Sequence, residues 1–277
     1  MLERWEAEEI RDVARTGRNR PPTFLCTKVH TPKIIIPGAS PPSGPRITQE
    51  FVVKGKGGEL DARSLCCEAF GYLLARELGI LTPTPAVVNV DPTLLLRPDI
   101  AEVLRREQVK LQPGEAFGSE YFHANFTPVS AFAPLTNETF PQAVAIFAWD
   151  LVFQNPDRKG HNPNCAFSGQ RLLAYDFELA FTFLLPLLGQ RMDPWEVTKQ
   201  GIHQHHVFYR HLRSREKAVD WEPFLTKLGQ LTEGRMKALV GCMPVGWQPW
   251  AIKVCQHICT VQAHLDQLRW ELRRSIK

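Results

Sequence analysis

The chain has 277 residues, which at roughly 100–200 residues per domain allows one large domain or two modest ones. Hydrophobic residues make up 44% of it and charged residues 22%, so the chain carries enough apolar surface to fold and is not disordered as a whole. Its 33 Lys and Arg against 29 Asp and Glu leave a net charge of +4, which is too small to indicate a nucleic-acid partner.

The first part of the chain is predicted to be rich in strands. We expect a short helix in the first dozen residues, a lead-in to about residue 23, and then strands at TFLCTKVH, KIII and QEFVVK, which are rich in β-branched and aromatic residues. The proline-rich segment Pro37–Pro45 reads as a loop. A helix over about Asp61–Leu78 ends at Gly79, and an extended segment, TPTPAVVNVD, and a short charged helix over 97–108 follow.

The remainder of the chain is predicted to be mostly helical. EAFGSEYF, at 115–122, reads as a strand or its exit, and Pro141–Gln154 forms a strongly apolar helix. RLLAYDFE follows a Ser-Gly turn and reads as one more strand, whereas 194–277 contains only helical patterns. A strand-rich part with one helix followed by a helical part indicates an α+β fold with two lobes.

Lys54 closes the strand FVVK, and Glu68 lies fourteen residues later on the next helix. Each residue alone is typical of a solvated surface. A strand lysine followed by a helix glutamate is also how kinase-like folds hold a lysine against nucleotide phosphates, with the glutamate orienting it.

The segment NPDRKGHNPN, at 155–164, follows the apolar helix. Its Asn, Pro and Gly content fits a plain surface loop. Phosphoryl transfer, however, requires an aspartate near the acceptor hydroxyl and an amide oxygen ligand for Mg²⁺ just beyond it. Asp157 and Asn162 fit those two roles.

Asp176 stands where the chain leaves the hydrophobic strand RLLA. A carboxylate there suits a hard cation that bridges to phosphates, although a helix N-cap is an alternative role. The segment between Asp157 and Asp176 contains a hairpin turn, CAFSGQRLL. Because the two strands of a hairpin run back alongside each other, we expect it to bring Asp176 close to Asp157.

The set FVVK, CCEAFGYLLARELGILTP, AFGSEYF, DLVFQNPDRKGHNPN and RLLAYDFELAF resembles the HipA-like kinases. Its D-R-x-x-x-N stretch is more distantly similar to phosphatidylinositol kinases. The resemblance covers about residues 24–250. It implies a bilobal protein-kinase-like fold with an N-terminal extension over 1–23, a small β-rich N-lobe over 24–114, and a hinge and mainly helical C-lobe over 115–277. ATP and Mg²⁺ would lie between the lobes.

The resemblance also implies roles for individual residues. Asp157 would be the catalytic aspartate, Asn162 and Asp176 would hold Mg²⁺, and Lys54 would contact the α- and β-phosphates with Glu68 as its partner. The backbone of the hinge would meet adenine, and the proline-rich loop would face the phosphates, with its serines as candidate autophosphorylation sites. The hinge residues are Phe117, Gly118, Ser119, Glu120 and Tyr121, and the loop residues are Gly38, Ser40, Ser43 and Gly44.

The expected reaction is ATP- and Mg²⁺-dependent transfer of the γ-phosphoryl group to a hydroxyl, with Ser or Thr of a protein as the best-fitting acceptor. A lipid or small-molecule kinase and a non-catalytic nucleotide-binding interaction module are the alternatives. A regulatory protein partner stays open. No run of about 18 apolar residues is present, so we expect no membrane span. Seven scattered cysteines predict reduced thiols and a cytoplasmic protein.

The run HQHH, at 203–206, suggests a metal site, because His at i and i+3 can bind zinc. No Cys or carboxylate at ligand spacing completes such a site. We therefore interpret these histidines as a polar helix face.

Overall fold

The computed structural model of the protein describes residues 2–14, 20–28, 47–57, 60–122, 126–130, 132–185 and 192–277. The chain divides into two compact units, one of Met1–Leu65 with Thr84–Tyr121 and one of Cys66–Pro83 with Phe122–Lys277. Strands dominate the first unit and helices the second, which confirms the predicted α+β class. The bilobal arrangement and the boundaries at residues 23 and 114 stay predictions.

The first unit is built on a closed five-stranded barrel. Its strands follow the order β1-β2-β3-β5-β4, and β1 closes the ring by pairing antiparallel with β2 and parallel with β4. Closure leaves no unpaired strand edge in the ring. The elements of this part of the chain are β1 (Glu3–Val13), β2 (Pro22–Lys28), β3 (Thr48–Lys54), α1 (Ala62–Glu77), β4 (Pro85–Val90), α2 (Pro92–Leu96), α3 (Pro98–Arg106) and β5 (Gly114–Glu120).

The prediction of a helix in the first dozen residues is wrong, because this segment forms β1. Trp5 and Ala7, two residues apart, are both buried, which is the period of a strand and not of a helix. The Trp5 ring lies 5.0 Å from the ring of Phe51 on β3. Burial in the barrel therefore overrides the helical propensity of the acidic sequence. The alternating inward residues of the other strands include Phe24, Cys26, Val53, Ala86, Val88, Val90 and Ala116.

Several elements predicted before residue 91 are confirmed. QEFVVK and the first six residues of TFLCTKVH are β3 and β2, and the segment before Asp91 is β4. Helix α1 runs close to its predicted bounds, and Gly79 follows it with a φ of +82°, a conformation that favours glycine. The strand predicted at KIII lies outside the described residues.

The second unit packs around the apolar helix α4 (Phe140–Val152). A small antiparallel sheet joins β6 (Thr127–Pro128), β7 (Cys165–Ser168) and β8 (Arg171–Ala174). Helices α5 (Tyr209–Ser214), α6 (Glu222–Gln230), α7 (Glu233–Gly241), α8 (Gln248–Gln262) and α9 (Leu265–Arg274) complete it, with short 3₁₀ turns between them. Among the described residues no helix is long and apolar enough to cross a membrane.

Candidate active site

The loop that follows α4 holds the Asp157 carboxylate between two amide side chains. Oδ2 of Asp157 accepts hydrogen bonds from Nδ2 of Asn162 at 2.8 Å and from Nδ2 of Asn164 at 2.9 Å. The loop folds back on itself through paired backbone hydrogen bonds between Lys159 and Asn162, at 2.9 and 3.1 Å. The dense Asn, Pro and Gly sequence thus makes a tight turn whose amides fix one carboxylate, and Asp157 stays half-buried.

The β7–β8 hairpin connects this loop to the segment that carries Asp176. Cys165 pairs with Ala174 at the base of the hairpin, and the N–H of Tyr175 donates to the carbonyl of Asn164 at 3.0 Å. Asn164 is also a partner of the Asp157 side chain. The hairpin therefore begins directly after Asn164, which holds Asp157, and its last hydrogen bond is made by Tyr175, which directly precedes Asp176.

Asp176 has a left-handed backbone conformation, with a φ of 59°. Its N–H donates to the hydroxyl of Tyr72 on α1 at 3.4 Å. Gln154 and Asn164 also have positive φ, at 50° and 43°. Such conformations cost free energy in non-glycine residues, and they concentrate at functional sites. Three of the six such residues in the described part of the chain therefore lie in or directly before the two segments that the sequence singles out, and the other three are Arg20, Gln108 and Phe181.

Phe177 anchors the Asp176 segment in the core of the second unit. Its ring makes edge contacts with Tyr72 at 5.1 Å and with Trp149 at 4.7 Å. The backbone of Gly71 on α1 lies so close that a Cβ there would be 2.5 Å from the Cβ of Phe177. The absence of a side chain at Gly71 therefore leaves room for Phe177. The position of Phe177 in turn constrains the backbone of the neighbouring Asp176.

Gly71→Ala is expected to destabilise the protein although alanine favours helices. The helix propensity gain of about 1 kcal/mol is outweighed by overpacking against Phe177, which costs about 1–3 kcal/mol. Thermal unfolding measures the net loss, and Mg²⁺-dependent ATP binding should weaken because Asp176 shifts. Gly234→Ala is the matched control, since an added Cβ on Gly234 in α7 meets nothing within 4 Å. An unfolding temperature for Gly71→Ala at or above that of the wild type would contradict this account of the packing.

Sequence reasoning missed a buried charged network beside the loop. Oδ2 of Asp150, on α4, accepts from Nε of Arg158 at 2.6 Å and from Nε2 of His206 at 2.8 Å, and Oδ1 accepts from Nδ2 of Asn155 at 2.7 Å. The side chains of Asp150, Arg158 and His206 are fully buried. The interpretation of HQHH as a polar helix face is therefore wrong for His206, and His203 is buried as well. The signal that could have revealed the network is an aspartate, Asp150, inside an otherwise apolar helix.

The protonation states in this network follow from its contacts. Burial by itself raises the pKa of Asp150, but the charge of Arg158 and the hydrogen bond from His206 outweigh it and hold that pKa below its ordinary value. Burial also lowers the pKa of His206, against the opposing effect of Asp150. The N–H of Phe208 donates to Nδ1 of His206 at 3.1 Å, so the proton of the neutral ring is on Nε2, facing Asp150.

The remaining predicted residues lie on well-defined elements. Lys54 ends β3 with 8% of its surface exposed, and Glu68 lies on α1 with 1% exposed. Charged side chains are this deeply buried only when their charge is compensated. The structure describes Lys54 within the first unit and Glu68 within the second.

Four of the five predicted hinge residues, Phe117–Glu120, lie on β5, and Tyr121 follows it. This strand pairs with β3 on one side and β4 on the other, and a Cβ on Gly118 would lie 2.6 Å from Cγ2 of Val88. The N–H groups of Glu120 and Tyr121 donate to the carbonyls of Thr84 and Glu50 at 2.9 Å each. The barrel thus uses these backbone groups itself. The predicted phosphate loop, with Gly38, Ser40, Ser43 and Gly44, lies outside the described residues.

The donor types at the predicted metal site suit Mg²⁺. The Asn162 amide and the Asp176 carboxylate supply oxygen atoms, which hard cations prefer. Because Nδ2 of Asn162 faces Asp157, the amide oxygen is the atom left to face a cation. In the part of the chain that the structure describes, no three His, Cys, Asp or Glu side chains gather as metal ligands. A site of one carboxylate, one amide and nucleotide phosphates does not require such a group.

Kinases carry an aspartate and, a few residues later, an asparagine in the catalytic loop, with a second, metal-binding aspartate further along the chain. Asp157, Asn162 and Asp176 follow the same order. The sequence profile of the HipA-like kinase family matches residues 47–276, which is most of the chain. The chain therefore belongs to the HipA-like kinase family, as its sequence motifs predicted, and it is a kinase, a phosphotransferase.

The crystal structure of the Helicobacter pylori proinflammatory kinase CtkA is similar to this chain with a TM-score of 0.40 and 8% sequence identity, covering 90% of this chain and 94% of that one. No curated protein sequence matches the chain.

Proposed function

We propose that the protein transfers the γ-phosphoryl group of ATP, in a Mg²⁺-dependent reaction, to a hydroxyl of a protein Ser or Thr. The single observation that carries this proposal is the Asp157 carboxylate, which is held by Asn162 and Asn164 and joined through the β7–β8 hairpin to Asp176. Such an arrangement positions one carboxylate for an acceptor and a second for a cation.

Asp157 acts on the acceptor hydroxyl in this proposal. Two N–H donors on Oδ2 hold the carboxylate in one orientation and leave Oδ1 to accept the hydroxyl proton or align the oxygen for attack. Positioning of this kind is the main contribution that a protein makes to phosphoryl transfer.

Asn162 and Asp176 would hold Mg²⁺ through their oxygen atoms. When bound, the metal neutralises charge on the nucleotide phosphates. The protein's contribution is to fix the ligand directions: Asp157 orients the Asn162 amide, and the buried Phe177 ring fixes the residue next to Asp176.

The other predicted residues would complete the nucleotide site. Lys54 would contact the α- and β-phosphates with Glu68 as the residue that orients it, and Gly38–Gly44 would face the phosphates. The backbone groups of Phe117–Glu120 are taken up in strand pairing and the N–H of Tyr121 donates to Glu50, so the adenine contacts of the hinge would begin at the carbonyl of Tyr121.

The test is phosphoryl transfer from γ-³²P-ATP with Mg²⁺, measured together with ADP formation and intact mass. Dephosphorylated casein serves as the Ser/Thr probe and phosphatidylinositol vesicles as the lipid probe, with the protein alone in a third reaction. Labelled casein, or an added phosphate on the protein itself at Ser40 or Ser43, supports the proposal. Label confined to the lipid would overturn the acceptor class. A folded protein that binds MgATP but forms no ADP would point to a non-catalytic module.

A further inference from the structure

Asp150 is a carboxylate for which the proposed reaction has no direct use. It lies on α4, seven residues before Asp157, and its side chain has no exposed surface. Three different side chains donate to its two oxygens, those of Arg158, His206 and Asn155. A buried ion pair seldom stabilises a fold more than apolar residues of the same volume. Stability alone therefore does not explain this pair, and the segments that Arg158 contacts indicate a second role.

Arg158 holds the two segments that carry the predicted site residues. Its Nη1 donates to the carbonyl of Asn164, and it lies 3.4 Å from the carbonyl of Tyr175. Its guanidinium carbon also lies 5.3 Å from the centre of the Phe177 ring. One side chain thus contacts the end of the Asp157 loop and both neighbours of Asp176.

His206 brings a third segment to the same point. Its side chain shares Oδ2 of Asp150 with Arg158, and the N–H of Val207 donates to the carbonyl of Arg158 at 3.0 Å. Residues 206–207 therefore hold Arg158 twice, once through its backbone and once through the carboxylate that orients its guanidinium. The Phe208 N–H on Nδ1 of His206 fixes the ring in the orientation that this requires.

We propose that Asp150, Arg158 and His206 form a positioning network that sets Asp157 and Asp176 in their mutual geometry for phosphoryl transfer. The inference rests on the proposed function and deepens it. None of the three touches substrate in this scheme. Apolar side chains at the same positions would fill the same space, but they would leave the carbonyls of Asn164 and Tyr175 without the donor that ties them together.

The experiment compares His206→Leu with His206→Gln and with His257→Leu. Leucine removes the Nε2 donor, and glutamine restores an N–H donor toward Asp150. His257 is the matched control, because it is also buried and its Nε2–H donates to the carbonyl of Val152 on α4 at 3.0 Å and makes no contact with the Asp150 carboxylate. Each variant is assayed for ADP formation at saturating MgATP, for its KM, and by hydrogen exchange of residues 155–164 and 175–178.

We expect His206→Leu to lower kcat by about 10–100-fold, the usual effect of losing a residue that orients a ligand, with little change in KM. Exchange should accelerate in both segments together, and His206→Gln should recover most of the rate. His257→Leu should lower the unfolding temperature without these effects. If His206→Leu does not fold, His206→Gln and Asp150→Asn are compared in the same way, and the aspartate variant should show the loss.

Two results separate this inference from the proposed function. Active wild type with equal kcat and equal exchange in His206→Leu and His257→Leu would overturn the positioning network and leave the kinase assignment intact. Wild type that neither binds nor turns over MgATP would overturn the proposed function and the catalytic part of the inference. In that case, equal hydrogen exchange of residues 155–164 and 175–178 in the wild type and His206→Leu would also show that His206 does not hold these two segments.

Discussion

Asp157→Ala is expected to lower phosphoryl transfer by about 10²–10⁴-fold, the contribution of a positioned general base, while ATP binding changes little. The carboxylate is held by Asn162 and Asn164 and is half-buried, so its loss removes the group that orients the acceptor without removing a residue predicted to contact the nucleotide. ADP formation measures the rate, and calorimetric titration with ATP in the absence of Mg²⁺, which does not involve the Asn162 amide, measures the binding.

Asp157→Asn is the control for structure. Asparagine retains an oxygen that accepts from the two amides but lacks the negative charge. Equal losses of activity in both variants, with unchanged unfolding temperatures, would assign the effect to the charge of Asp157. Normal turnover in either variant would remove Asp157 from the mechanism.

Asp150→Asn is expected to destabilise the second unit by about 3–5 kcal/mol, because it leaves the buried charge of Arg158 without its counter-ion. The Arg158 and Asp150 side chains have no exposed surface, so water cannot replace the lost carboxylate. At about 2–4 °C per kcal/mol, the unfolding temperature should fall by roughly 10 °C. Thermal unfolding followed by circular dichroism measures the shift.

Asp99→Asn provides the matched comparison. Asp99 also pairs with an arginine, Arg97, at 2.6 Å, but the two side chains are 57% and 48% exposed. Exposed pairs of this kind contribute about 0–1 kcal/mol, so this variant should unfold close to the wild type. Similar unfolding temperatures for the two variants would contradict this prediction, because they would show that the buried charge of Arg158 does not need Asp150 as its counter-ion.

The sequence was most informative where a residue pattern has a local cause. The apolar run before Gln154 predicted α4, the Asn- and Gly-rich run predicted a tight turn, and the Ser-Gly turn predicted the β7–β8 hairpin. The spacing of Asp157 and Asn162 indicated a functional pair, and the structure brings the two side chains into hydrogen-bond contact. The family membership also followed from these motifs.

Features that depend on contacts between distant segments were not predicted. The first strand lies in an acidic sequence typical of a helix, and it forms because β2 pairs with it on one side and β4, far along the chain, pairs with it on the other. His206 is 56 residues from Asp150, so no local pattern distinguishes it from a surface histidine. The roles of Lys54, Glu68 and the hinge stay predictions, because strand and helix patterns locate these residues without fixing what they contact.

The measurement that tests the central claim most directly is calorimetric titration of ATP into the wild type and Asp176→Ala, with and without Mg²⁺. We predict binding by the wild type that is strengthened by Mg²⁺, and loss of that Mg²⁺-dependent gain in Asp176→Ala, since the carboxylate would be a ligand of the metal. A folded wild type that does not bind ATP, or an Asp176→Ala variant with the full Mg²⁺ effect, would contradict the account.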